Sequence, residues 1–273
     1  AFFCARDHLG IKPFFYHHAQ DGTFYFASEI KGLGALGVPY AANNAVIYDY
    51  LYHSFYDHTE ETFFKDINCL QAGHFLLWRE GELTIQKYWD LADMHPPEMT
   101  LSAAATKGRF EELLADAVRL QFRSDVPVGI SLSSGLDSNG LLYFGEKNTP
   151  RPLEMVSLCF QSETYDECAL TREFLNSEQH TRWHRAYLTP EEAFTRVDEM
   201  IAVEDQPFGG VATIGMLLLY QRAHEVGVTV LLDGDGLDEI LAGYSYYALD
   251  IAEKTKVPVS GNVSPDATAH LYH

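Results

Sequence analysis

The sequence predicts an α/β protein: a doubly wound parallel sheet in the C-terminal part, preceded by an α+β segment. Three observations carry this. Residues 1–90 alternate short aromatic runs with Gly-centred turns. From Ser102 onward, short apolar runs alternate with stretches of helical period, the pattern of parallel strands covered by helices. Two apolar runs break into small and acidic residues, at Ser131-Leu132-Ser133-Ser134-Gly135-Leu136-Asp137-Ser138 and Leu232-Asp233-Gly234-Asp235-Gly236-Leu237-Asp238-Glu239. Ligands of open α/β sheets sit beyond the carboxyl ends of strands, where both segments fall.

The chain opens on the strand-like run Phe2-Phe3-Cys4-Ala5 and turns through Arg6-Asp7-His8-Leu9-Gly10-Ile11-Lys12-Pro13. Phe14-Phe15-Tyr16 and Thr23-Phe24-Tyr25-Phe26-Ala27 flank Asp21-Gly22, a hairpin signal. Ser28 starts a short helix with Ile30 and Leu33 inward and Glu29 and Lys31 outward. Asn44 to Phe55 reads as a helix, and Gly73-His74-Phe75-Leu76-Leu77-Trp78 pairs with Leu83-Thr84-Ile85 across Glu80-Gly81. Leu91 to Thr100, with Pro96-Pro97, reads as a linker. It divides the chain into domains at residues 1–92 and 102–273, with 93–101 between them.

Ser102 caps the next helix, whose apolar stripe is Phe110, Leu113, Leu114, Ala117 and Leu120. A strand from Val128 to Leu132, a helix from Ser138 and a strand from Met155 to Phe160 follow. Next come a helix from Glu167 to Asn176 and a strand from His184 to Leu188. Helices from Pro190 to Val203 and Thr213 to Val226 precede a strand from Val228 to Leu232.

With 273 residues, 47% hydrophobic, the chain can bury one large core or two ordinary ones. Its 19 basic against 39 acidic side chains give a formal charge of −20, so nucleic acid is not an expected partner. No apolar run is long enough to cross a membrane and no secretory signal pattern opens the chain, so no membrane is expected either. Cys4, Cys69, Cys159 and Cys168 show no metal-ligand spacing and read as buried free thiols in a reducing compartment, the cytoplasm. The histidines are scattered; His17-His18 and His270/His273 read as loop or tail residues. The chain starts at Ala1 in strand rhythm and stops at His273 after the Pro258 to Pro265 loop, so it reads as an interior fragment of a longer protein.

A strand that opens through Ser and Gly into a helix presents free backbone N–H groups and a favourable dipole to an anion. Carboxylates at two such strand ends can hold a magnesium ion between themselves and that anion. The constellation reads as ATP with Mg2+. For the first segment alone, an ordinary capped helix N-terminus is a competing reading. The second segment shifts the balance. Asp233, Asp235, Asp238 and Glu239 at the end of the apolar run Val228-Thr229-Val230-Leu231-Leu232 cannot all ionise cheaply without a cation or hydrogen bonds.

Ser133-Ser134-Gly135-Leu136-Asp137-Ser138 resembles the pyrophosphate loop Ser-Gly-Gly-x-Asp-Ser of the N-type ATP pyrophosphatases, with Ser134 where that pattern has Gly. A Cβ there requires the backbone to stay at negative φ or affinity falls. Asp233-Gly234-Asp235-Gly236-Leu237-Asp238-Glu239, followed by Leu241-Ala242-Gly243-Tyr244, resembles the Ser-Gly-Glu-Gly-x-Asp-Glu…Gly-Gly-Tyr segment of asparagine synthetases. Arg6 to Pro13 and Phe26-Ala27-Ser28-Glu29-Ile30-Lys31 are similar to the closing portion of a class II glutamine amidotransferase domain. Ser124-Asp125-Val126-Pro127-Val128-Gly129 leads into the phosphate loop. In this order the elements resemble the glutamine-hydrolysing asparagine synthetase family along essentially the whole chain.

The resemblance implies a ligase of asparagine biosynthesis. ATP and aspartate give β-aspartyl-AMP and pyrophosphate, and ammonia from glutamine displaces AMP. Aspartate and glutamine would be the small-molecule partners, with a homodimer as the assembly. The resemblance implies that Ser133, Ser134, Gly135, Asp137, Ser138 and Gly234 meet ATP and pyrophosphate. Leu132, Val156, Ser157 and Leu158 would line the nucleotide, and Asp137 and Asp238 would hold magnesium. Asp235 falls where the family carries a catalytic Glu, one methylene longer. Glutamine hydrolysis in that family uses an N-terminal Cys with its α-amino group as base, so this segment alone is expected to lack it. Two alternatives stand beside this reading: a related adenylating enzyme of the β-lactam synthetase or peptide-cyclase type, and a non-catalytic remnant.

Overall fold

The computed structural model describes residues 1–94, 101–149, 151–160, 166–175, 182–241, 243–244 and 247. The linker prolines Pro96-Pro97, Asn176, Ala242, the Pro258 to Pro265 loop and His270/His273 lie outside them. The described residues divide into two compact units: one holds residues 1–94 with Ile201–Pro207, the other residues 101–200 and 208–247.

In the first unit, β1 (Phe2–Ala5), β2 (Phe15–His18), β3 (Phe24–Ala27), α1 (Ile30–Ala35), α2 (Asn44–His53), β4 (Asn68–Cys69), β5 (His74–Arg79) and β6 (Glu82–Lys87) form two antiparallel sheets, ordered β1-β5-β6 and β3-β2-β4. Both predicted hairpins are present, with Gly22 and Gly81 at positive φ in their turns. α1 is capped by Glu29 rather than Ser28, and it buries Ile30 and Leu33 against Val38 and Ile67. α2 stops at His53 because Ser54 turns left-handed (φ 59°). Arg6 and Asp7 knit the turn after β1. The Arg6 guanidinium donates to the carbonyls of Lys12, Leu70 and Gly10, and the Asp7 carboxylate accepts from the amides of Leu9, Ile11 and Lys12. Burial alone would raise the Asp7 carboxyl, but these amides outweigh it and hold it below its ordinary value. Within the same unit, the Lys31 ammonium reaches the Ala202 carbonyl and the Asp205 carboxylate.

The second unit runs α3 (Ala103–Gln121), β7 (Val128–Ser131), α4 (Leu136–Glu146), β8 (Glu154–Phe160), α5 (Cys168–Phe174), β9 (Trp183–Leu188), α6 (Pro190–Thr195), α7 (Val197–Glu204, its last residues in the first unit), α8 (Val211–Glu225), β10 (Val230–Leu232) and α9 (Leu237–Leu241). Its sheet is parallel throughout, in the order β10-β7-β8-β9. Strand alternation splits the core between two faces. Ile130, Leu132 and Met155 pack with Val118 of α3 and Leu141 and Leu142 of α4. Val156, one residue after Met155, points the other way, onto Leu219 and Ala223 of α8. The predicted doubly wound sheet is therefore what these residues build.

Four details differ from expectation. The inward face of α3 is Leu114, Val118 and Phe122, whereas Leu113 and Leu120 are exposed; the helix has apolar residues on two sides, and the sheet selects the one in register with Ile130 and Leu153. The single helix expected from Pro190 to Val203 is two helices. The Arg196 amide closes the first on the Glu192 carbonyl, and its own carbonyl accepts from Met200 to open the second. α4 starts at Leu136 with Gly135 as its N-cap, ahead of Ser138. Cys159 and Cys168 are joined in a disulfide, not free thiols; Cys4 and Cys69 are free and half-buried. No described helix is long and apolar enough to cross a membrane.

Candidate active site

Strand order places the site. From β7 the sheet grows through β8 to β9, and the chain then returns to add β10 on the other side of β7, with Val230 opposite Val128 and Leu232 opposite Ile130. The strand order thus reverses at β7, and in open α/β sheets such a reversal marks a crevice at the carboxyl ends of the flanking strands. Both acidic and Ser/Gly-rich segments emerge there.

The loop after β7 is tied to itself. The Ser138 hydroxyl, nearly buried, accepts from the Ser133 amide (3.1 Å), lies 2.9 Å from the Ser133 hydroxyl, and approaches the carbonyls of Ser133 and Gly135 at 3.2 Å each. Ser133 Oγ also accepts from the Gly135 amide, and Asn139 Nδ2 donates to the Gly135 carbonyl at 2.6 Å. Gly135 has φ −68° and Ser134 stays out of the left-handed region, so the Cβ that Ser134 adds is accommodated. With Gly135 as N-cap no side-chain oxygen caps the helix end, and the first-turn residues Leu136, Asp137 and Ser138 line the cavity.

The loop after β10 carries the charge. Gly236 turns at φ 102°, and its amide donates to Glu239, whose other oxygen accepts from the Tyr244 hydroxyl. The Asp233 carboxylate accepts from the Asp235 amide. Gly234 is where the two loops meet: a Cβ there would lie 2.9 Å from the Ser138 nitrogen and from Asp137 Cβ. Only a glycine permits that approach.

Together they line a cavity of about 370 Å³ bounded by Ser133, Gly135, Asp137, Ser138, Gly234, Asp235 and Asp238, with Asp233, Glu239 and Tyr244 beside them. Among the described residues, none that lines it is a Lys, Arg or His. Burial, then the Asp238 charge, pushes the Asp137 carboxyl above its ordinary value, partly countered by the Asp238 amide. Burial, then Asp233 and Glu239, does the same to Asp235. Glu239 is held low by backbone hydrogen bonding and the Tyr244 hydroxyl. Mutually repelling carboxylates, with no cationic side chain beside them among the described residues, form a hard-oxygen donor set that suits magnesium. A polyphosphate could enter only with such a counter-charge.

The residues expected along the nucleotide divide. Of the twelve site residues expected from the sequence, seven line the cavity; Leu132, Ser134, Val156, Ser157 and Leu158 do not. Leu132 and Val156 are in the core. The buried Ser157 hydroxyl donates to the Leu132 carbonyl and accepts from the Trp183 indole, while Leu158 bridges the clusters under α8. Ser134 turns instead to Glu167, donating its hydroxyl at 2.9 Å and its amide at 3.3 Å. Sequence reasoning missed that contact and the wall residue Met216 of α8; neither carries a local motif.

Residues 109–271 match the family model for asparagine synthase, and residues 1–89 match that for a glutamine amidotransferase domain. A Methanocaldococcus jannaschii protein that carries the name of a glutamine-hydrolysing asparagine synthetase is 30% identical over 98% of this chain and 54% of its own length. Amidase chyE of Penicillium rubens is 28% identical over 90% of this chain and 38% of its own length. Asparagine synthetase (glutamine-hydrolysing) 3 of Bacillus subtilis is 28% identical over 90% and 41%, respectively. The chain thus spans about half the length of these relatives, or less.

Proposed function

The chain belongs to the asparagine synthase family, and on that premise we propose that its full protein is an ATP-dependent, glutamine-hydrolysing asparagine synthetase. Aspartate and glutamine are its substrates and the cytoplasm its compartment, with a homodimer as its assembly. The observation that supports this most is the reversal of strand order between β7 and β10, which sets the phosphate-loop motif and the acidic motif against one cavity.

In the first half-reaction a side-chain carboxylate oxygen of aspartate attacks the α-phosphorus of ATP, and the bridging bond to the β-phosphorus breaks to release pyrophosphate. In the second, ammonia attacks the activated carbonyl carbon, AMP leaves with the oxygen, and the nitrogen loses a proton. The amides of the first turn of α4, and that of Ser134 once Glu167 is displaced from it, are the donors for the phosphates. Asp137 and Asp238 would hold magnesium, which supplies positive charge to offset the phosphates. Asp235, whose carboxyl lies above its ordinary value, is the group suited to take the proton from the incoming nitrogen.

Pyrophosphate release by the full-length parent tests this. Release should require aspartate and magnesium, and Asp137→Ala should lower it by roughly 10²-fold or more. Turnover without aspartate rules out the assignment. Asp235 supports a second reading, an adenylating enzyme of the β-lactam synthetase or peptide-cyclase type, because a shorter carboxylate leaves room for a different acceptor. Faster pyrophosphate release with a larger carboxylate substrate than with aspartate would select it.

A further inference from the structure

Glu167 stands immediately before α5, and its carboxylate occupies the amide and hydroxyl of Ser134 in the phosphate loop. A resident anion thus holds a donor that a phosphate oxygen would use. The residues on either side of Glu167 are fastened to the end of β8. Cys168 is bonded to Cys159, their Cα atoms 5.5 Å apart, and the Asp166 carboxylate accepts from the amides of Phe160 (3.4 Å) and Cys168 (3.1 Å). α5 itself has seven residues, too few to hold its place by helix formation alone. Its first turn is positioned by that covalent link and those hydrogen bonds.

We propose that Glu167 is an anionic gate on the phosphate loop and that the Cys159–Cys168 bond is its redox-sensitive latch. With the bond closed, the carboxylate is kept on Ser134 and competes with phosphate for the same donors. With it open, the α5 N-terminus is released and Glu167 gives way. This rests on the reading of the loop as a phosphate site. Opening needs a dithiol reductant. Its thiolate attacks one sulfur to give a mixed disulfide, and its second thiol resolves that bond. The Cys159–Cys168 bond takes up two electrons and two protons, leaving two thiols, while the reductant closes its own disulfide. Cys159 and Cys168 are 0% and 4% exposed, so attack follows local opening of α5 and is slow beside that on an exposed pair.

Calorimetric titration with inorganic pyrophosphate and magnesium tests this on the full-chain protein. The oxidised form, the form reduced by dithiothreitol (each verified by thiol count), and the Cys168→Ser and Glu167→Gln variants are compared. Reduced protein and Cys168→Ser should bind about tenfold more tightly than oxidised protein, the worth of one competing charge-assisted hydrogen bond. Glu167→Gln should bind tightly in both redox states. Equal affinity in oxidised and reduced protein overturns the latch, and an oxidised Glu167→Gln no tighter than the oxidised parent overturns the gate. Failure of every form to bind pyrophosphate overturns the phosphate-loop reading itself, and the gate with it.

Discussion

After β7 the chain ties its loop with Ser138, whose hydroxyl meets Ser133 and Gly135, and only Asp137 brings charge. After β10 the loop keeps Asp233, Asp235, Asp238 and Glu239 at the cavity and is steadied chiefly by amides accepted onto those carboxylates. One loop is a shaped set of donors whose side chains serve its own conformation. The other is a set of acceptors held close together against their repulsion. On the proposed reading neither alone would hold a magnesium nucleotide, and the difference teaches that the candidate site depends on their junction at Gly234.

That contrast can be broken first at the junction. Gly234→Ala puts a methyl against the backbone of Ser138, so the loops must part. Pyrophosphate release should fall by roughly 10²-fold, and urea unfolding should show a loss of about 1–3 kcal/mol. Unchanged activity would show that the loops work independently. The next change sharpens the description of the first loop as self-tied. Ser138→Ala removes a nearly buried hydroxyl and strands the Ser133 amide, at about 1–3 kcal/mol in the same unfolding assay. The matching change on the other loop, Asp233→Asn, should leave stability within about 0.5 kcal/mol, because Asp233 is exposed and its amide contact survives.

The smallest effect is on pH dependence, and its sign separates folding from cation binding. Asp137 and Asp235 are raised above the ordinary 3.8, so the folded chain keeps protons that the unfolded chain has released. Their contribution to stability is present below that ordinary value and is lost as pH rises through their raised values. Magnesium binding runs the other way, because the cation competes with those protons. The thermal shift caused by magnesium should therefore grow as pH rises from just above 3.8 toward neutrality, and Asp137→Asn should flatten it.

Much of this was legible in the sequence because it is written locally. Asp21-Gly22 and Glu80-Gly81 announce hairpins, and the apolar runs that break into Ser, Gly and Asp announce the strand ends. What the sequence did not disclose depends on partners distant in the chain. The choice of Val118 over Leu113 on α3 is made by the sheet beneath it. Val156 and Ser157 lie inside β8 rather than at a strand end; the first faces the α8 helix and the second is hydrogen-bonded to Trp183. The pairing of Cys159 with Cys168, and the reach of Glu167 to Ser134, follow from how β7, β8 and α5 pack, which no spacing encodes.

The hydrogen bonds through Ser157 have a further use. They run from the Trp183 indole on β9, across β8, to the carbonyl of Leu132 at the root of the phosphate loop. Of the chain's 3 tryptophans, Trp183 is the one in the second unit; Trp78 and Trp89 belong to the first. With those two replaced by Phe, this chain carries a single tryptophan whose emission, excited at a wavelength the tyrosines do not absorb, reports on the root of the phosphate loop, an optical gauge already wired into the sheet.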